Sequence, residues 1–588
     1  MPEGNQTPLQ KIAFLFCVLS FFFFSYHLEQ ISLYHTDEQY YIQSCRNMVD
    51  SGDWLTPVLN EKMRFAKPVL FYWLASTSFK IFGVSLASAR LVSAFLGSLG
   101  LWVVYRMGTV LFGPLTGLYS VFILASSFLY FLSARLAYTD MALSFFITLS
   151  LYFFSRLVRP EDGGMEKGGP GKRGSRDILF IYIFMGLATA TKGPPGFMVP
   201  GLIIAAFLLI TKDRKTATCF LHHAGIFLFL CLSLFWPLLM AWMHGGAFVN
   251  HLLHAEGVDR VLHTEKPSLY FVFAILRYFA PWSFFLVAAV FLAFGKEERH
   301  LLKTTEKRGL FLWVYVAVPL VLFTFLRTRH SRYMLPAFPA LAILVGHYFH
   351  RIAEREINPM GKSFKIPYLF SAALLLALAV ISLLSGLLLF RLDRELFSWS
   401  FFLLPVFFFI GGATLVFSWK KKDLSLSPLL ISIPLLACFA LIAGKIIPSL
   451  NPDPMMAFAE KINQGWTPET RIGTYNFGNG NQRLRVLTGR LVESLDKKES
   501  LMLFLNGKGP LCLAIREEDF KNAAKDAVAS YQIFAEAKQW RKIKLTAGTI
   551  DQAKREFGPG LLEKFRERVY LVYIEKKERM ARFEGHAL

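Results

Sequence analysis

The sequence predicts a polytopic α-helical membrane protein that ends in a small α/β domain. Apolar runs of bilayer-spanning length recur from residue 12 to residue 447, where a soluble chain of 588 residues would show several alternating domains. The composition then changes near Asn451. Residues 451–588 are charged and hold no spanning run. Short loops rich in Lys and Arg separate the apolar runs, as cytoplasmic loops do.

About thirteen spans are expected, at 12–29, 84–104, 112–132, 140–157, 178–192, 195–211, 221–243, 271–294, 309–326, 333–349, 367–390, 399–418 and 427–447. The first follows Lys11 and ends at Tyr26 with no small-residue cleavage site, so it reads as an uncleaved span. Lys192-Gly193-Pro194-Pro195 leaves only a tight break between two short halves at 178–211. The six cysteines, at 17, 45, 219, 231, 438 and 512, stand singly, which predicts neither a disulfide framework nor a thiolate metal site.

Thirteen spans place the basic loops 156–177, 212–215 and 295–308 and the run Lys420-Lys421-Lys422 on one side, the cytoplasmic one. The N-terminus is then inside. Residues 30–83 and the domain 451–588 are outside. The chain's net charge of +22 is in keeping with Lys and Arg clustered in such loops. No basic, aromatic-interleaved soluble module is present to bind nucleic acid.

Several cations fall on the outer face against this bias: Lys62, Arg64 and Lys67; Lys192; Arg260 and Lys266; Arg327, Arg329 and Arg332. Lys80 and Arg90 read as snorkelling side chains at the interface. Convergence of the others on an anionic ligand, a phosphate above all, accounts for their number.

Two carboxylates face this set. Asp37 stands where the first span exits, followed by Glu38, and is placed to take a proton from an attacking hydroxyl. Alone it reads better as the cap of a helix at 38–49. Asp140, at the outer turn before the fourth span, also reads as a cap. The two together, opposite outer cations, favour a shared site. Lys67-Pro68 opens an aromatic amphipathic run, Val69 to Phe82, suited to the membrane plane. Lys67 either meets a lipid phosphate or anchors the interface.

Asp37-Glu38, Gly52-Asp53-Trp54, Lys67-Pro68, Tyr72-Trp73, Phe82-Gly83 and Ala89-Arg90-Leu91 occur in that order. Arg135-Leu136-Ala137 with Asp140, Thr191-Lys192-Gly193-Pro194, Pro281-Trp282 and Tyr333-Met334-Leu335-Pro336 with Pro339 follow. This ordered set resembles the bacterial aminoarabinose transferases of lipid A and the wider protein mannosyltransferase family. The resemblance covers most of residues 10–450. It implies a GT-C fold, a catalytic transmembrane domain at 1–450 and a periplasmic domain at 451–588. It also implies a bacterial inner-membrane location, a polyprenyl-phosphate-linked sugar donor and an envelope acceptor.

Residue by residue, the resemblance implies catalytic roles for Asp37 and Asp140. It implies donor-phosphate contacts from Lys67, Arg260 and Tyr333, and places an aromatic substrate contact at Tyr41. With the outer-face positions Glu38, Arg64, Tyr72, Lys192, Arg327 and Arg329, these residues make up the expected substrate site. In the aminoarabinose transferases a Glu often precedes the Lys-Pro lysine and a His follows a Glu in the loop before span eight, a set linked with bound metal. Here those positions are Ala66 and Gly257, with His254 and His263 nearby but off the matched position. No family-type metal site is therefore expected, though a divalent metal stays open, and the case for lipid A itself is weakened, leaving a lipid A-like glycolipid, a glycan or a protein as acceptor.

The C-terminal domain is expected to hold strands at Arg471–Phe477, Pro510–Ile515 and Arg568–Glu575 and a helix at Pro454–Gln464. Transporters and flippases also use intramembrane charge, but no inverted repeat is evident and the polar residues gather at one face rather than the midplane. No P-loop or dinucleotide fingerprint is present.

Overall fold

A computed structural model of the chain describes residues 8–33, 36–158, 165–166, 169–170, 172–251, 268–293, 302–325, 329–356, 361–422, 424–524, 531–540 and 561–574. They form two compact units. One comprises Met1–Leu28, Asn47–Ile381 and Leu404–Ala440, the other Glu29–Arg46, Ser382–Leu403 and Leu441–Leu588. This division differs from a single boundary at Asn451, because residues 29–46 group with the C-terminal part.

Helices occupy all thirteen predicted positions. Among the described residues, eight are long and apolar enough to cross a membrane, from Pro8–Gln30 to Ser427–Leu450. Pro114–Ala125 and Pro195–Thr211 are shorter apolar helices. The break inside 178–211 is real. Gly193 takes φ +80° to end the Lys172–Lys192 helix, and Pro195 opens the next at a position where its missing N–H is harmless.

In the first unit, helices meet through small residues. A Cβ on Gly117 would lie 2.5 Å from the Tyr105 carbonyl, and one on Gly346 would lie 2.6 Å from Ser120 Oγ. These glycines let Leu86–Phe112, Pro114–Ala125 and Phe338–Ala353 approach closely, as helices do where solvent supplies no hydrophobic drive.

The first helix, Pro8–Ser25, ends against two buried guanidinium groups. The last carbonyls of any helix lack intrahelical donors, and in an apolar surrounding water does not replace them. Arg135 Nη1 donates to the carbonyls of Phe23 and Phe24 at 2.8 and 3.0 Å, and Nη2 to that of Tyr26 at 2.5 Å. Arg90 Nη1 donates to Leu28 O at 2.7 Å. Both arginines are 0% exposed, so Arg90 is not the snorkelling side chain expected from sequence. Its guanidinium satisfies backbone instead of seeking water. Lys80 is exposed and lies over the Trp54 ring at 5.0 Å.

The second unit carries a five-stranded mixed sheet in the order Val492–Leu495, Arg471–Tyr475, Leu511–Arg516, Arg566–Ile574, Gln532–Trp540. The first three strands run parallel and the last two pair antiparallel. The central strand alternates as its pleat requires. Leu511, Leu513 and Ile515 pack with Phe504 on one face, while Cys512 and Ala514 pack with Phe458 and Ile462 of helix Pro454–Gly465 on the other. Strands 492–495 and 532–540 were not expected. Both are edges, short or half-exposed and interrupted by charge, so they lack an apolar run.

Removing the cap on the first helix should destabilise the membrane unit. Arg135→Leu leaves three carbonyls without a donor in an apolar site and should cost about 2–4 kcal/mol. Arg135→Lys should recover part of it. Thermal unfolding of the purified protein in detergent checks this, and an unchanged melting temperature for Arg135→Leu would contradict it.

Candidate functional site

A polar cluster of the first unit gathers around Asp140. Helix Thr139–Val158 holds Asp140 in its first turn, 5% exposed. Asp140 is thus inside the helix and not at its cap, where the positive end of the backbone dipole favours an anion. Lys192, the last residue of Lys172–Lys192, donates from Nζ to Asp140 Oδ1 at 2.5 Å. Arg332 Nε lies 3.6 Å from Oδ2. Oδ1 is thus hydrogen-bonded, and Oδ2 faces a second cation at ion-pair distance.

Aromatic rings enclose the two cations. Lys192 Nζ lies 5.2 Å from the centre of the Tyr333 ring, and the Arg332 guanidinium lies 4.9 Å from that of Tyr138. Phe323 and His330 flank Tyr333 at 5.6 and 5.4 Å. The 3-10 turn Ser331–Ala337 presents Arg332 and Tyr333 while burying Met334 and Leu335. Two cations and one carboxylate leave one net positive charge beside a tyrosine hydroxyl. Such a cluster can hold an anion, and the paired Asp140 fixes the positions of its cations.

The Lys67 segment belongs to the same unit. Gly52 takes φ +75° after helix Thr36–Ser51, and Asp53 Oδ1 then accepts from the backbone N–H groups of Leu55 and Thr56 at 2.8 and 3.2 Å. This side-chain-stabilised turn carries the chain into a short hairpin, Val58–Leu59 with Lys62–Met63. Trp73 Nε1 and Trp236 Nε1 donate to the carbonyls of Trp54 and Leu55 at 2.6 and 2.9 Å, which pins the turn. Helix Leu70–Phe82 starts two residues after Pro68 and buries Phe71, Tyr72, Ala75 and Phe79. It packs against helix Lys172–Lys192. Arg64 Nε donates to Tyr72 Oη at 3.3 Å, and Lys67 Nζ to the Ala66 carbonyl at 2.7 Å.

Asp37 belongs to the second unit. It is half-buried in the first turn of helix Thr36–Ser51, inside the helix and not its cap, with Glu38 and Tyr41 buried at 1% and 5% exposure. Gln39 Nε2 donates to Leu33 O at 2.6 Å and holds the chain that leads in. Arg46 Nη1 donates to Val486 O at 2.7 Å, next to Gly489, where a Cβ would lie 2.7 Å from that same nitrogen. These contacts tie the Asp37 helix to the C-terminal part of the chain.

Of the remaining expected residues, Arg329 is half-buried just before the 3-10 turn. Arg260 and Arg327 lie outside the described residues, as do Gly257, His254 and His263. Ala66 carries no ligating atom. Among the described residues no three His, Cys, Asp or Glu side chains gather as a metal site. Arg332 is the site residue that the sequence named only as an outer cation. Its neighbour Tyr333 carried the motif, and only the fold shows that Arg332 reaches Asp140.

Residues 66–242 match the family model of dolichyl-phosphate-mannose-protein mannosyltransferases. An uncharacterised protein of Aquifex aeolicus is 28% identical over 357 residues, 60% of this chain and 67% of that one. The undecaprenyl phosphate-alpha-4-amino-4-deoxy-L-arabinose arabinosyl transferase 1 of Proteus mirabilis is 25% identical over 356 residues, 59% of this chain and 61% of the relative's length. In fold, the chain matches the crystal structure of ArnT from Cupriavidus metallidurans bound to undecaprenyl phosphate. The TM-score is 0.71 at 18% identity, covering 96% of this chain and 98% of that one. Over residues 66–242 the chain is similar in sequence to the protein mannosyltransferases, and over nearly its whole length it shares the fold of an aminoarabinose transferase.

Proposed function

We propose that this glycosyltransferase moves a sugar from a polyprenyl-phosphate donor to an envelope acceptor on the periplasmic face of the bacterial inner membrane. The observation that carries this reading is the net-positive cluster of Lys192, Arg332, Asp140 and Tyr333. It is chemistry suited to a lipid phosphate, in a chain sharing the fold of a transferase crystallised with undecaprenyl phosphate.

The acceptor hydroxyl oxygen attacks the anomeric carbon of the donor. The bond from that carbon to the phosphate oxygen breaks, and polyprenyl monophosphate leaves. The hydroxyl proton passes to the Asp37 carboxylate. Negative charge grows on the departing phosphate, so cations placed in advance lower the barrier. Lys67, Arg260 and Tyr333 contact that phosphate, together with Lys192 and Arg332. Asp140 supports the reaction as a positioning residue, its charge paired with Lys192 and Arg332. Glu38, Tyr41, Arg64, Tyr72, Arg327 and Arg329 line the substrate path. The acceptor is a glycolipid, a glycan or a protein. For the C-terminal domain the reading is structural support, with acceptor selection as the alternative role.

Purified protein in liposomes with polyprenyl-phosphate sugar should release free polyprenyl phosphate when acceptor is present. Asp37→Asn should lower that release by about two to four orders of magnitude with unchanged folding. Full activity in Asp37→Asn would remove Asp37 from the chemistry, and movement of intact donor across the bilayer without release would indicate a transporter.

The role given to Asp140 makes a separate prediction. In a cycle of Asp140→Asn, Lys192→Met and the double variant, the two changes should couple by about 1–3 kcal/mol in unfolding free energy. Additive effects would mean that the pair does no positioning.

A further inference from the structure

At the far end of helix Pro195–Thr211 from Lys192, a groove of 860 Å³ opens beside the loop that leads to helix His223–His244. The Pro195–Thr211 helix is 17 residues long, or about 25 Å, so the groove is distinct from the Asp140 cluster. Its walls are apolar. Tyr182 and Met185 come from helix Lys172–Lys192, and Ile204 and Leu208 from Pro195–Thr211. Gly201 and Ala205, one turn apart on the same helix, leave the space between them. Tyr182 Oη donates to Phe220 O at 2.6 Å and closes the floor.

The mouth is cationic. Lys212 and Arg214 line it and are exposed, and neither pairs with a carboxylate among the described residues. Lys215 follows, also exposed. The one acid in the lining, Asp213, is already committed. Its Oδ1 accepts from Thr216 N at 3.1 Å and its Oδ2 from Thr216 Oγ1 at 2.8 Å, which caps the short helix Arg214–Cys219. Lys212 itself takes φ +54°, a left-handed conformation that ends the apolar helix and turns the chain sharply into the basic segment.

An apolar trough that ends in uncompensated cations, just where an apolar helix stops, matches a lipid whose phosphate lies at the level of the helix end. Leu209 and Ile210 beside it are 77% and 57% exposed, as residues facing acyl chains are. Basic pockets between membrane helices recognise anionic headgroups in this way. We propose that this groove binds an anionic glycerophospholipid, its phosphate on Lys212 and Arg214 and an acyl chain along Ile204 and Leu208.

The full-length protein in detergent, melted with increasing phosphatidylglycerol or phosphatidylcholine, tests this. Phosphatidylglycerol should raise the melting temperature and phosphatidylcholine should not. In Lys212→Gln/Arg214→Gln, the phosphatidylglycerol concentration for half effect should rise about thirtyfold. Ala205→Phe fills the trough without touching a charge and should shift the midpoint in the same direction. The proposal is overturned if both lipids act alike or if both variants respond as the wild type does. It is equally overturned if polyprenyl phosphate displaces phosphatidylglycerol at lower concentration, since the groove would then be a second donor site.

Discussion

Charge held where water is scarce must be matched by the protein, and around Asp140 one carboxylate is matched by two cations. Three segments far apart in sequence are fixed by that arrangement. They are the start of helix Thr139–Val158, the end of helix Lys172–Lys192 and the turn Ser331–Ala337. Removing Asp140 leaves two neighbouring cations with no counter-charge, the costly state for such a cluster. The arrangement also leaves an excess of one positive charge between two tyrosine rings. A fixed cation surplus is also what the proposed transfer to a departing phosphate would use.

A related constraint operates at the first helix. Its carbonyl end is closed by Arg135 and Arg90, each fully buried. Trp282 is likewise buried and donates to Ser126 Oγ at 3.0 Å. All three lie in motifs that carried the family resemblance. The motif set therefore mixes residues that handle substrate with residues that satisfy backbone, and type and spacing alone do not separate them. Arg90 illustrates this. On an amphipathic pattern it reads as a snorkelling side chain, and only the fold reveals a carbonyl within reach.

Much of the architecture was legible because apolar length and helix breakers are local signals. Gly193 with Pro195, Gly52 with Asp53, and the strands at 471–475 and 511–516 are each dictated by nearby residues. The edge strands Val492–Leu495 and Gln532–Trp540 were not, since their pairing partners rather than their own sequences make them strands. For the same reason the sequence suggested Asp140 and Lys192 separately but not their contact, and it left Arg332 out of the site. The bond between Arg46 and Val486 spans 440 residues. No local pattern announces that the Asp37 helix groups with the C-terminal part of the chain.

The central claim is that the cation surplus at Lys192 and Arg332 holds a lipid phosphate. Native mass spectrometry of the full-length protein with undecaprenyl phosphate, and with the uncharged polyprenol as control, measures this directly. The account predicts one bound undecaprenyl phosphate on the wild type, no retained polyprenol, and binding weakened about tenfold or more by Arg332→Gln. Equal retention of phosphate and polyprenol, or undiminished binding to Arg332→Gln, would contradict it.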